Sequence, residues 1–61
     1  MKRIQELIDL GYSVEFIPSV KNTYFVTLNP LFGYNTKVED DTDFEANTIT
    51  EALDMALKAA R

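Results

Sequence analysis

The spacing of apolar positions along this chain changes from helical to alternating and back, and each change marks an element. Residues 2–10, KRIQELIDL, place Ile4, Leu7 and Ile8 on one helical face with charged residues opposite. Gly11 follows at once, where glycine readily takes the left-handed conformation that closes a helix. The pattern predicts a helix over 2–10, too short to persist without packing.

Alternation then takes over. In YSVEFIP, Tyr12, Val14 and Phe16 share one face, and in TYFVTLNP so do Tyr24, Val26 and Leu28. The segment from Pro18 to Asn22 supplies a short connection. An antiparallel hairpin that keeps both apolar sets together pairs Phe16 with Tyr24, Val14 with Val26 and Tyr12 with Leu28. A one-residue slip would turn one set to the wrong side, whereas a two-residue shift preserves the faces and stays open. Pro30 and Gly33 end the second strand. YNTKV alternates again through Tyr34, Thr36 and Val38 and reads as a third strand. FEANT reads as a short fourth strand or as an extended lead into the last helix, and EDDT then falls at a hairpin tip.

TITEALDMALKAAR closes the pattern. Thr48 and Glu51 have the spacing of a capping box, in which each side chain bonds the other's main-chain N–H. Ile49, Ala52, Leu53, Ala56, Leu57 and Ala60 form one apolar stripe. Glu51 and Asp54 come early and Lys58 and Arg61 late, as the helix dipole favours. The order α-β-β-β-α predicts an α+β two-layer sandwich in a single domain, residues 1–61. Its antiparallel sheet has three strands, or four with FEANT, and both helices lie on one face.

This order also occurs in the double-stranded-RNA-binding domain. That fold meets phosphates with lysines at the start of its last helix, where this chain has Thr48, Thr50 and Glu51, so double-stranded RNA is excluded as a partner. YSVEFIP, YFVTLNPLFG and TITEAL resemble the HicB-like antitoxin family over roughly residues 12 to 60. The span from Gly33 to Thr48 is longer than in that family. Sixty-one residues also leave no room for the separate DNA-binding domain such antitoxins often carry. The resemblance therefore implies a scaffold that grips a protein rather than a transcriptional regulator, and the small size would suit an accessory protein of bacterial or phage origin.

Composition narrows the chemistry. Cysteine and histidine are both absent, so disulfides, cysteine-based zinc sites, thiol nucleophiles and an imidazole base are excluded, and no enzyme is expected. Met1 reads as a native start, and with no apolar run of membrane-spanning length the expected location is cytoplasmic. No cofactor is implied. A small domain without staples often gains stability by self-association, so a homodimer through the open sheet face or a sheet edge is a further expectation.

The net charge of −4 is uneven: residues 38–61 carry Lys58 and Arg61 against seven acids. Five of those acids fall in VEDDTDFE. Three readings stand for that stretch: a solvated turn, a calcium or magnesium site on Asp41, Asp43 and Glu45, or an acidic surface for a basic protein. Calcium loops need a glycine for their sharp turn, and this stretch has none. For a protein partner the candidate residues are Glu39, Asp40, Asp41 and Asp43 for attraction, with Ile17 and Phe25 as the apolar part on the outer face of the hairpin. A nucleic-acid reading would use the same face, with Phe25 and nearby tyrosines stacking on bases.

Overall fold

The computed structural model describes residues 2–18 and 21–61. Helix α1 spans Lys2–Asp9, strands β1, β2 and β3 span Tyr12–Pro18, Tyr24–Pro30 and Thr42–Ala46, and helix α2 spans Ile49–Ala60. The strands form one antiparallel sheet in the order β1-β2-β3. The chain is thus an α+β fold with α-β-β-β-α order. Both helices cover one side of the sheet, α1 over β1 and α2 over β2 and β3.

The hairpin keeps its expected faces but takes the shifted register. Phe16 lies opposite Val26, Val14 opposite Leu28 and Tyr12 opposite Pro30, two residues from the simplest pairing. The shift brings in the pairs Ile17–Phe25 and Pro18–Tyr24 and places the connection at residues 19–23. Asn22 takes a positive φ of 56° there, a conformation asparagine tolerates. Ser19 and Val20, within the connection expected from Pro18 to Asn22, lie outside the described residues, as does Met1.

Both prolines suit this register. The Leu31 N–H donates to the Gly11 carbonyl at 2.8 Å, which makes that pair a bonded one in the β1–β2 ladder. Bonded pairs recur every second residue, so Ser13, Glu15 and Ile17 carry the remaining bonds. Pro18 and Pro30 both fall on the alternate pairs, where no N–H is needed between these strands.

The third strand is not Tyr34–Val38. Leu31–Tyr34 forms a turn closed by the Tyr34 N–H on the Leu31 carbonyl at 3.3 Å, with Gly33 at φ 92° as a type II turn requires. Beyond it, the Val38 N–H donates to the Tyr12 hydroxyl at 2.9 Å and the Val38 carbonyl accepts from Thr36 Oγ1 at 2.8 Å. Main-chain groups already held by side chains are not left for a ladder. The strand forms later, at Thr42–Ala46, where Phe44 faces Val26 and Thr42 faces Leu28. FEANT therefore overlaps the end of β3, and EDDT is its approach rather than a hairpin tip.

The core draws on each layer: Leu7 from α1, Tyr12, Val26 and Leu28 from the sheet, and Ala52, Leu53, Ala56, Leu57 and Ala60 from α2. Ile49, expected in the α2 stripe, is exposed instead, as is Ile8 of α1. Phe16 and Tyr24 are also exposed although they share the helix-facing side. An eight-residue helix rises only about 12 Å, roughly half the length of a seven-residue strand, so α1 covers one end of β1 and leaves Phe16 bare.

Two ion pairs join the helices. Arg3 Nε donates to Asp54 Oδ1 at 2.6 Å, and Arg61 binds Glu6 through both carboxylate oxygens at 2.6 and 2.8 Å. At the start of α2, Thr48 Oγ1 accepts from the Glu51 N–H at 3.1 Å. The reciprocal half of the box differs from expectation, because the Thr48 hydroxyl itself meets the Glu51 carboxylate at 3.1 Å. Among the described residues no helix is long and apolar enough to cross a membrane.

Candidate functional site

Register places the side chains on the sheet's uncovered face. Ser13, Glu15 and Ile17 alternate outward from β1, Phe25, Thr27 and Asn29 from β2, and Asp43 and Glu45 from β3. They form cross-strand rows: Ile17–Phe25–Glu45, Glu15–Thr27–Asp43 and Ser13–Asn29. Ile17 and Phe25 are direct neighbours, as a contact patch needs, with Ile17 47% exposed and Phe25 partly covered.

The polar rows are tied together. Thr27 is buried between two carboxylates and donates from Oγ1 to Asp43 Oδ1 at 2.6 Å. Thr23 Oγ1 donates to Glu45 Oε2 at 3.1 Å. Asn29 stands between Glu15 and Asp41. Its amide nitrogen reaches Glu15 Oε1 at 3.3 Å in one orientation and both Asp41 oxygens at 3.1 Å in the other. The second orientation makes two bonds of ordinary length, in which Asp41 accepts from Asn29 at the edge of the open face.

The acidic stretch is therefore not one tip. Asp41, Asp43 and Glu45 belong with Glu15 to the sheet face, whereas Glu39 and Asp40 lie on the irregular approach to β3. Thr42 Oγ1 donates to the Asp40 carbonyl at 2.9 Å, which fixes this approach without using the Asp40 carboxylate. Glu39 borders a shallow hollow with Leu31, Phe32 and Tyr34. Among the described residues no group of three or more acidic side chains converges as metal ligands would. Tyr12 and Tyr24 alternate onto the helix-facing side, so Phe25 is the one aromatic residue of the strands on the open face.

Glu15 was absent from every expected site, and Glu45 entered only the metal reading, not the partner surface. Alternation in TDFEA and YSVEFIP carries the signal, but only a strand assigned to Thr42–Ala46 puts them on a common surface. The charge then divides by layer rather than by chain half. The helices with Arg61 hold four bases and four acids, whereas the strands hold Glu15, Asp43 and Glu45 and no base. Lys37 Nζ donates to the Arg61 main-chain oxygen at 2.7 Å, which directs that cation toward the helix layer. Comparison with protein-family models, curated proteins and solved structures gives no match. Function therefore rests on this surface and its chemistry.

Proposed function

We propose that the chain is a small non-catalytic protein-binding module, working in the cytoplasm, whose open sheet face receives a basic partner and so inhibits or neutralises it. One observation carries this reading: the sheet sets Glu45, Glu15 and Asp43 beside the Ile17–Phe25 pair, with Asp41 farther along the same face at Asn29 and no base in any strand. Clustered carboxylates attract cationic surfaces at long range, and the apolar pair beside them gives those surfaces something to bury on arrival. The same charge repels a phosphate backbone.

The test is affinity capture with elution by rising salt, run with wild type, Asp43→Lys/Glu45→Lys, Phe25→Ala and, as control, Lys2→Glu on α1. The expected result is a basic protein released by salt, lost with the two sheet-face variants and kept with the control. Recovery unaffected by either sheet-face variant would defeat the proposal. So would tight, salt-sensitive binding of single-stranded DNA or RNA by wild type, which would favour base stacking on Phe25.

A further inference from the structure

The turn that follows β2 carries a surface of its own. Leu31, Phe32 and Tyr34 are all exposed there, Phe32 wholly so and Tyr34 to 56%. Phe32 contributes nothing to the core from this position, and a contiguous exposed apolar group of this kind points to contact with another molecule. The turn is tied down on both sides. The Leu31 N–H donates to the Gly11 carbonyl at 2.8 Å, the Tyr34 N–H closes on the Leu31 carbonyl, and the Tyr34 side chain lies across Gly11. The segment that carries Glu39 is fixed as well, by the Tyr12 hydroxyl on the Val38 N–H before it and by Thr42 on the Asp40 carbonyl after it. Phe32, Tyr34 and Glu39 line one open hollow of about 430 Å³.

Glu39 is the one charged side chain of that hollow, and no described residue bonds or pairs with its carboxylate. Lys37, the nearest base in sequence, donates instead to the Arg61 main-chain oxygen. Aromatic rings beside an unengaged carboxylate select a ligand that is both cationic and flat. A guanidinium stacks on an aromatic face and offers a fork of N–H donors to a carboxylate, whereas an ammonium is a compact, strongly hydrated point charge.

We infer that this hollow receives an arginine side chain of the basic partner, its guanidinium stacked on Phe32 beside Tyr34 and paired with Glu39. The inference rests on the proposed capture of a basic protein and adds a place where that protein is gripped beyond the open face. The hollow adjoins that face. Pro30, on its rim, follows Asn29, whose amide meets Asp41, and Asp41 lies close behind Glu39 in the chain. A partner drawn to the sheet thus brings its cations within reach of the turn. Because both segments are anchored before anything binds, little ordering cost falls on this chain.

The probe is Nα-acetyl-arginine amide, titrated to millimolar concentration into the whole chain and followed by NMR in about 0.15 M salt, which screens distant charges. The Phe32, Tyr34 and Glu39 resonances are expected to move together, and the probe's δ-methylene to shift upfield under the ring current of Phe32. Phe32→Leu, which keeps apolar bulk without a ring, and Glu39→Gln each weaken the response several-fold, whereas Phe32→Tyr keeps it. Asp43→Lys/Glu45→Lys leaves it nearly unchanged, and Nα-acetyl-lysine amide gives a response several-fold smaller. Phe32 and Glu39 are exposed, so their variants are expected to keep the amide spectrum of the core. No movement at the turn, or movement confined to Glu15, Asp43 and Glu45, would overturn the inference. So would an equal response to the lysine probe, or indifference to both Phe32→Leu and Glu39→Gln. The capture experiment is judged apart from this one. Failure to capture a basic protein while the arginine response holds defeats the reading of the acidic face, and capture without that response defeats the arginine site.

Discussion

Gly11 is where a single residue holds two elements and a loop together. Its φ of 103° turns the chain from α1 into β1, and a Cβ there would stand 2.6 Å from Tyr34 Cβ, because the Tyr34 side chain lies across it. Gly11→Ala therefore meets two penalties, backbone strain of about 1–2 kcal/mol and a clash. The two are separable by urea unfolding. Gly11→Ala is expected to cost about 3 kcal/mol in wild type but only the backbone part in a Tyr34→Gly background, which removes the Tyr34 Cβ as well as its ring. Equal costs in both backgrounds would show that the tyrosine contact contributes nothing. Tyr12 works similarly at a distance: its ring fills the core while its hydroxyl accepts the Val38 N–H and anchors the segment that leads to β3.

Among the elements, α2 is the most self-sufficient, with the Thr48 cap, the charge order and, apart from the exposed Ile49, the apolar stripe in agreement. Thr48→Ala removes the oxygen that accepts the Glu51 N–H and is expected to lower stability by about 1 kcal/mol in thermal or urea unfolding. That element, α1 and the two faces of the hairpin were legible because periodicity reports directly on burial. The hairpin register was not, since pairings two residues apart bury the same set, and the choice depends on how the connection closes. The third strand misled for a related reason. Tyr34, Thr36 and Val38 alternate as well as Thr42, Phe44 and Ala46 do, and alternation does not reveal that the Tyr12 hydroxyl already holds the Val38 N–H. Candidate residues Ile17 and Phe25 came out adjacent because they needed only the faces. Glu15 and Glu45 needed the right strand.

For the whole molecule, the division of charge between layers sets how it responds to pH. Hydrogen bonds from Arg61 hold the Glu6 carboxyl below its usual range, outweighing the opposing effect of desolvation. A carboxylate whose pKa is lowered by folding stabilises the fold above its unfolded value and loses that contribution as pH falls through the lowered one. Glu6→Gln is therefore expected to lower the melting temperature slightly at neutral pH and to lose its effect below about pH 4. The change is small because both partners are exposed. A deficit that persisted unchanged into acid would assign it to packing instead.

The same ion pairs bear on the order of folding. Arg3–Asp54 and Glu6–Arg61 join positions 51 and 55 apart in sequence, whereas β1 and β2 meet across a short connection. Closing so long a loop has a high entropic cost, so α1 docks only once the hairpin and α2 have made a surface to receive it. A helix of eight residues with Leu7 as its one fully buried side chain is also the first to lift away. The molecule thus opens from the α1 side, baring the apolar underside of β1 while α2 still clasps the other two strands.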